Sequence, residues 1–210
     1  MIGFLKTGVT TLPAVRVDGG RVYLRPARPR DWEQWAQLRE ASREFLIPWE
    51  PSWPSDALSK TAFARRLRRQ ASEWRRDEAY SLLVVDKATE RLLGGIGLSN
   101  VRRGVAQAAA VGYWIGQPYA RRGYMTEALS AMLGFGFFQL GLHRIEAACL
   151  PSNQASRGLL LKVGFTQEGY ARSYLRIGGE WQDHLLFGMV REDFEQARVV
   201  RGQAVRSPVA

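Results

Sequence analysis

Apolar and polar positions change period several times along this chain, and each change marks an element. Val22, Tyr23 and Leu24 form a short apolar run after the turn Asp18-Gly19-Gly20 and are halted by Pro26, which reads as a first strand. Behind Asp31, a candidate N-cap, Trp32, Trp35, Ala36 and Leu38 recur at helical spacing, in a helix that should fade around Arg43 to Phe45. A second helical face comes from Phe63, Leu67, Gln70/Ala71 and Trp74. Tyr80 to Val85 and Leu92 to Leu98 read as a hairpin around the polar turn Asp86 to Glu90, with Ala108 to Ile115 as a third antiparallel strand. Met125, Leu129, Met132, Leu133, Gly136, Phe137 and Leu140 then share one face of a long helix. Ile145, Ala147 and Cys149 alternate in the strand Leu142 to Leu150, which a right-handed crossover makes parallel to the strand before the helix. A shorter helix starts near Asn153, carries Leu159, Leu160 and Val163 inward and stops at Gly164. Phe165 to Ile177 and Trp181 to Val190 flank Gly178-Gly179 as a last hairpin, and residues 191 to 198 allow a final helical turn or two. The pattern puts an irregular leader at residues 1–20, one domain at 21–195 and a disordered tail at 196–210.

One junction offers chemistry. Arg121-Arg122-Gly123-Tyr124-Met125-Thr126 follows a strand ending Tyr113-Trp114-Ile115 and opens the long helix. The first N–H groups of a helix lack intrahelical partners and sit at the positive end of its dipole, so a diphosphate can take up several donors there. Gly123 lets the backbone come close, and Arg121 and Arg122 add charge. A second unusual stretch, Phe45 to Pro54, holds three prolines and two tryptophans. Such a loop either lines a pocket or covers the edge of the core. Asn153 can cap its helix or offer its amide to a ligand between strands.

Composition narrows the class without naming it. A chain of 210 residues, 46% hydrophobic and 24% charged, has ordinary globular character with room for one sizeable core. Its single cysteine, Cys149, forms no internal disulfide and reads as a buried thiol, while two histidines and one cysteine make no metal-ligand cluster. No run approaches the roughly 18 apolar residues of a membrane span, and no secretory leader is evident, so a cytoplasmic setting is expected. The net charge of +10 is concentrated: residues 60–76 carry seven basic side chains against Glu73. That face is either simply solvated or an electrostatic handle, through Arg65, Arg66, Arg68 and Arg69, for an RNA-rich partner or another polyanion.

The order of these elements, with the Arg121-Arg122-Gly123-Tyr124-Met125 helix, the Asn153 helix, Gly164-Phe165 and the final hairpin, resembles the GNAT acetyltransferase superfamily. Pro48-Trp49-Glu50-Pro51, Gly164-Phe165-Thr166-Gln167-Glu168-Gly169-Tyr170 and Trp181-Gln182-Asp183-His184 are similar to bacterial ribosomal-protein-alanine N-acetyltransferases. The resemblance implies one α/β (α+β) domain with a mixed, mainly antiparallel seven-stranded sheet, about four helices and a V-shaped splay between two central parallel strands. It implies acetyl-CoA as donor, its pyrophosphate held by Arg121, Arg122, Gly123, Tyr124, Met125 and Thr126 near Asn153, and its pantetheine arm beside Tyr113, Trp114 and Ile115. Two departures stand out. The ends of the family's phosphate-loop pattern fall here on Ala120 and Met125, and the tyrosine that many members use as general acid is replaced by Leu160.

Acetyl transfer asks for few side chains. A terminal α-amine has a reference pKa of about 8, so part of it is already neutral at pH 7 and a weak base suffices. Glu168 is the candidate base, on a strand expected to face the cleft, where partial burial would raise its pKa; the alternative is a surface carboxylate beside Gly169. Ser156 could donate to the departing thiolate or merely pair in the first helical turn. By resemblance, Trp49, Glu50, Tyr174, Asp183 and His184 are candidates for the acceptor. Strand alternation puts Asp183 and His184 on opposite faces, so at most one faces the cleft unless a bulge intervenes, and His184 could equally be a core histidine. The leading expectation is an enzyme, monomeric or homodimeric, that acetylates a protein N-terminus by direct attack. A small-molecule amine acetyltransferase and an acetyl-CoA sensor without turnover are the alternatives.

Overall fold

The computed structural model describes residues 14–200. Among them are eight strands: β1 (Val17–Asp18), β2 (Val22–Arg25), β3 (Tyr80–Asp86), β4 (Leu92–Arg102), β5 (Ala108–Ile115), β6 (Arg144–Cys149), β7 (Thr166–Ile177) and β8 (Glu180–Val190). They form one sheet in the order β1-β2-β3-β4-β5-β6-β8-β7. Six α-helices accompany them: α1 (Trp32–Ala41), α2 (Arg43–Leu46), α3 (Lys60–Arg75), α4 (Tyr124–Gly134), α5 (Gln154–Val163) and α6 (Arg191–Val200).

Alternation along the strands builds two cores. On β3, Leu82 and Val84 join the larger core with Leu129, Met132 and Leu133 of α4, Leu160 and Val163 of α5, and Phe194 of α6. Leu83 and Val85 face the other way, onto Trp35 of α1 and Phe63 of α3. The α4/α5 side of the sheet and the α1/α3 side are thus distinct, and this decides which residues can meet across the site.

Seven of the strands, the hairpins and the parallel β5–β6 pair follow the expected pattern, with β1 as an eighth, very short strand. Residues 17–18 of the expected irregular leader pair with Leu24 and Tyr23 of β2. At the other end, α6 continues through Val200, so residues 196–200 are helical rather than part of a disordered tail. Its acidic first turn, Glu192 and Asp193, complements the helix dipole. Residues 1–13 of the leader and 201–210 of the tail lie outside the described residues. Asp31 does not cap α1 through its side chain: it takes Nη1 and Nη2 of Arg25 at 2.6 and 2.8 Å and the Arg28 N–H at 2.7 Å. The long helix changes character after Gly134, continuing as a π turn over Phe135–Gln139. Gly164 ends α5 at φ 113°, a left-handed conformation that costs glycine no Cβ clash.

The feature that makes the site is where β5 and β6 stop pairing. Their parallel ladder runs only from Ala108–Arg144 to Ala110–Glu146. Beyond it β5 continues to Ile115 paired with β4, and β6 to Cys149 paired with β8. Between the diverging ends the sheet is open.

Candidate active site

A cleft of about 900 Å³ occupies this opening. Tyr113, Trp114 and Ile115 of β5 form one wall, Ala147, Ala148 and Cys149 of β6 the other, and Ser152, Asn153 and Ser156 close it at the start of α5. Arg121, Gly123, Tyr124, Met125 and Thr126 line the α4 end; Phe45, Leu46, Trp49 and Glu50 line the loop end. Of the loop's two tryptophans, Trp49 thus lies at a pocket, while Trp53 stands outside the lining with its Nε1–H on Glu50 and its ring under Arg39.

At the α4 end, Gly123 stands as N-cap at φ 83° and Arg121 also takes a left-handed φ of 59°. A Cβ at Gly123 would stand 3.2 Å from Arg21 Nη2. The N–H groups of Tyr124, Met125 and Thr126 follow in the first turn, where no intrahelical acceptor is available. Met125 does not obstruct them, because its side chain is buried in the main core. Arg122 is not part of the cleft lining; its carbonyl is held by Arg21 Nη2 at 2.9 Å. Arg21 also donates Nε–H to Glu127 at 2.7 Å and covers the Tyr124 ring at 4.5 Å. It braces the whole turn from a residue 106 positions away, which no local pattern discloses. Ser42, fully buried, is a second brace, its Oγ accepting the Gln117 N–H at 2.9 Å. This donor set, a cleft lined largely by apolar side chains and Arg121 at its α4 end fit a diphosphate carried on a mostly apolar arm.

At the α5 end, Asn153 caps the helix, its side chain accepting the Ser156 N–H at 3.0 Å. Ser156 Oγ lies 2.8 Å from Tyr113 Oη. Burial holds the Tyr113 phenol well above its ordinary pKa, so it stays protonated and can donate. Burial also pushes the Cys149 thiol up, disfavouring the thiolate that a nucleophile would need.

Glu168 requires a correction. It sits at a bulge between Gln167 and Gly169 and pairs with Arg144, Nη1 donating to Oε1 at 2.9 Å. Arg144 belongs to the closed end of the β5–β6 ladder, so Glu168 is exposed away from the cleft it was expected to face. The Arg144 guanidinium holds its carboxyl below the usual range, opposite to the rise that burial would have caused. A depressed carboxyl contributes stability that is complete above its unfolded pKa, about 4.3, and is lost as pH falls through its folded value. Glu168→Gln is therefore expected to leave the transfer rate within about threefold and to flatten part of the loss of thermal stability below pH ~4, both measurable on one preparation.

The remaining acceptor candidates divide. Glu50 reaches the cleft, but its carboxylate is engaged by Arg39 and accepts the Trp53 Nε1–H at 2.8 Å. Asp183 bonds Tyr170 Oη and the Ser173 N–H, the latter at 2.7 Å, and is not in the lining; His184 is. Tyr174 packs edge-on against the His184 ring, centroids 5.7 Å apart. Along residues 60–76, three of the seven basic side chains are ion-paired among the described residues. Arg65 meets Asp56 at 2.6 Å, Arg69 meets Glu73 at 3.5 Å and Arg76 meets Glu78 at 2.8 Å. Arg66 lies over the Trp35 ring, where burial pushes its pKa down to about 10. Arg68 and Arg75 have no ion pair among the described residues.

A mixed sheet opened between two parallel strands, with a helix N-terminus at one end of the opening, gives this chain a cleft flanked by β5, β6, α4 and α5. Residues 21–166 match the family model described as acetyltransferase (GNAT) domain, and the chain belongs to that family. The [Ribosomal protein uS5]-alanine N-acetyltransferase of Escherichia coli (strain K12) is 33% identical over 195 residues, covering 90% of this chain and 97% of that protein. The probable N-acetyltransferase YjcK of Bacillus subtilis (strain 168) is 32% identical over 180 residues, 86% of this chain and 99% of that protein. Mycobacterium smegmatis RimJ, solved in complex with CoA-disulfide, superposes with a TM-score of 0.80 at 32% identity, covering 87% of this chain and 90% of that one. The chain is thus an acetyltransferase, and relatives of its fold bind coenzyme A. No helix among the described residues is long and apolar enough to cross a membrane.

Proposed function

We propose that this protein transfers acetyl from acetyl-CoA to the N-terminal α-amine of a protein, a ribosomal protein being the favoured acceptor. The observation that carries this reading is the open cleft itself. It is approached on the α4/α5 side by the open N–H groups of the first turn of α4 and on the other by the Phe45 to Glu50 loop and the β7–β8 hairpin, whose Gly178 N–H donates to the Glu50 backbone carbonyl at 3.2 Å. Two sides leave separate routes for a donor and an extended acceptor. The names of the relatives at 30% identity and above support the acceptor class.

Arg121 and the first turn of α4 take the pyrophosphate in this reading, and Tyr113 to Ile115 flank the pantetheine. When bound, acetyl-CoA supplies the activated acyl group. Ser156 gives a proton to the departing sulfur and Tyr113 holds and recharges Ser156, a pair that replaces the tyrosine missing at Leu160. Trp49 walls the first side chain of the acceptor. Arg68 and Arg75, with weaker help from Arg65 and Arg69, are the part of α3 left for a polyanion; Arg66 is packed inward. Ribosomal acceptors argue for action in the cytoplasm.

The test is mass spectrometry of ribosomal-protein N-termini from cells with and without this chain. An N-terminal alanine acetylated only where the chain is present supports the reading. Unchanged N-termini alongside acetylation of a free polyamine or amino acid by the purified protein would move the activity to small-molecule amines.

A further inference from the structure

With Glu168 removed from the cleft, a group that takes the proton of the attacking amine has to be found elsewhere. We propose that His184 is this general base, acting through Nε2. The inference rests on the acetyl-transfer reading above but does not depend on which amine is the acceptor.

Position comes first. His184 precedes Leu185, which pairs with Cys149, the last residue of β6 and therefore part of the open end of the splay. On β8 the residues Phe187 and Met189 face the α4/α5 core, so His184 takes the opposite face. Tyr113 follows Ala109 and Val111 onto the α4/α5 side, where it meets Ser156. The proton donor for the sulfur and the acceptor for the amine proton thus approach the opening from opposite sides of the sheet. The amine adds to one face of the planar thioester and the sulfur departs from another corner of the resulting tetrahedral carbon, so a base and an acid that reach the opening from different sides suit direct transfer.

The ring is also held in a useful state. His184 is 3% exposed yet lines the cleft, so its contact with open space is confined to the site. Nδ1 lies 2.9 Å from the carbonyl oxygen of Gln182. A carbonyl only accepts, so in the neutral ring Nδ1 carries the hydrogen and Nε2 keeps the lone pair. Nε2 has no hydrogen-bond partner among the described residues, and it is not one of the fully enclosed polar atoms, which are Gln70 Oε1 and Arg191 Nε. Tyr174 fixes the ring edge-on from β7. The charged or titratable neighbours are Asp183 and those of the lining. Asp183, the preceding residue, is hydrogen-bonded to Tyr170 and the Ser173 N–H and its carboxylate still interacts electrostatically with His184; within the lining, Glu50 is ion-paired with Arg39, burial holds Tyr113 and Cys149 protonated, and Tyr119, Arg121, Tyr124 and Lys162 complete the set.

The step balances. The amine nitrogen bonds the thioester carbonyl carbon and gives its proton to His184 Nε2, while the carbon–sulfur bond breaks. Sulfur leaves with the bonding pair and takes a proton from Ser156 Oγ. His184 returns its proton to solvent, and a proton from solvent restores the Ser156–Tyr113 pair, Tyr113 passing its proton to Ser156 and regaining one from water.

The test measures kcat/KM with an alanyl peptide for His184→Gln and His184→Ala, alongside coenzyme A affinity by calorimetry. General-base loss is expected to lower kcat/KM about 10²-fold with coenzyme A affinity within twofold, and added imidazole should restore part of the His184→Ala rate. A merely unfolded variant would show no such rescue. The proposal is overturned if His184→Gln keeps a third of the rate, if coenzyme A affinity falls in parallel, or if imidazole restores nothing. Should the wild type prefer a small amine, the same comparison is made with that amine and only the acceptor reading falls. A wild type that acetylates no amine overturns both.

Discussion

Arg39→Ala is expected to lower stability by about 3–5 kcal/mol and the melting temperature by roughly 6–20 °C, making it among the most damaging changes to any charged residue here. Arg39 is buried, and both of its terminal nitrogens are used on Glu50, Nη1 at 3.3 Å from Oε1 and Nη2 on Oε2. Its guanidinium also lies over the rings of Trp53, Trp114 and Trp35, at 4.3, 4.8 and 5.7 Å. Truncation removes those contacts and strands the Glu50 carboxylate, 20% exposed, with Trp53 as its one remaining hydrogen-bond donor. An unpaired charge costs more than a lost pair contributes, so the double variant Arg39→Ala/Glu50→Ala should be no less stable than Arg39→Ala alone. Function should divide along the same line. The loop that Glu50 anchors carries Trp49, so the KM for a peptide acceptor should rise while coenzyme A affinity stays close to wild type. Thermal melts and a two-substrate kinetic analysis check both parts.

Ser156→Ala is expected to reduce kcat about 10–100-fold with little change in coenzyme A affinity. This lies at or below the foot of the usual range for acid–base catalysis, roughly 10²–10⁴-fold, because a thiol with an ordinary pKa near 8.5 is already a fair leaving group. The partner variant Tyr113→Phe keeps the ring wall of the cleft and removes only the hydroxyl 2.8 Å from Ser156. It should cost less than Ser156→Ala, and the double variant should cost no more than Ser156→Ala, since both act through one proton. Additive losses would show that Tyr113 works independently of Ser156.

Much of this site was legible in the chain. The turn ending in Gly123 announced a helix N-terminus open to an anion, because only glycine adopts φ 83° without penalty and the strand before it and apolar helical period after it bracket the turn. Alternation at Asp183 and His184 correctly allowed one of the pair into the cleft, although it could not say which. What stayed hidden was long-range. Glu168 looked like a cleft carboxylate until a bulge and Arg144, 24 positions earlier, turned it outward. The basic stretch at residues 60–76 reads as seven cations against Glu73, whereas Asp56 and Glu78, both outside it, also pair with Arg65 and Arg76. Arg21, Arg39 and Ser42 carried no motif at all. Each acts by reaching a distant turn, and only the folded sheet brings them there.

The central claim, acetyl transfer to an α-amine through this cleft, is tested most directly by incubating the purified protein with acetyl-CoA and two matched peptides. One has a free N-terminal alanine and a blocked lysine, the other a blocked N-terminus and a free lysine, and tandem mass spectrometry locates the acetyl group. Acetylation of the α-amine alone, in step with release of free coenzyme A, is the predicted result. Acetylation of the lysine peptide alone, or release of coenzyme A with neither peptide modified, would contradict it.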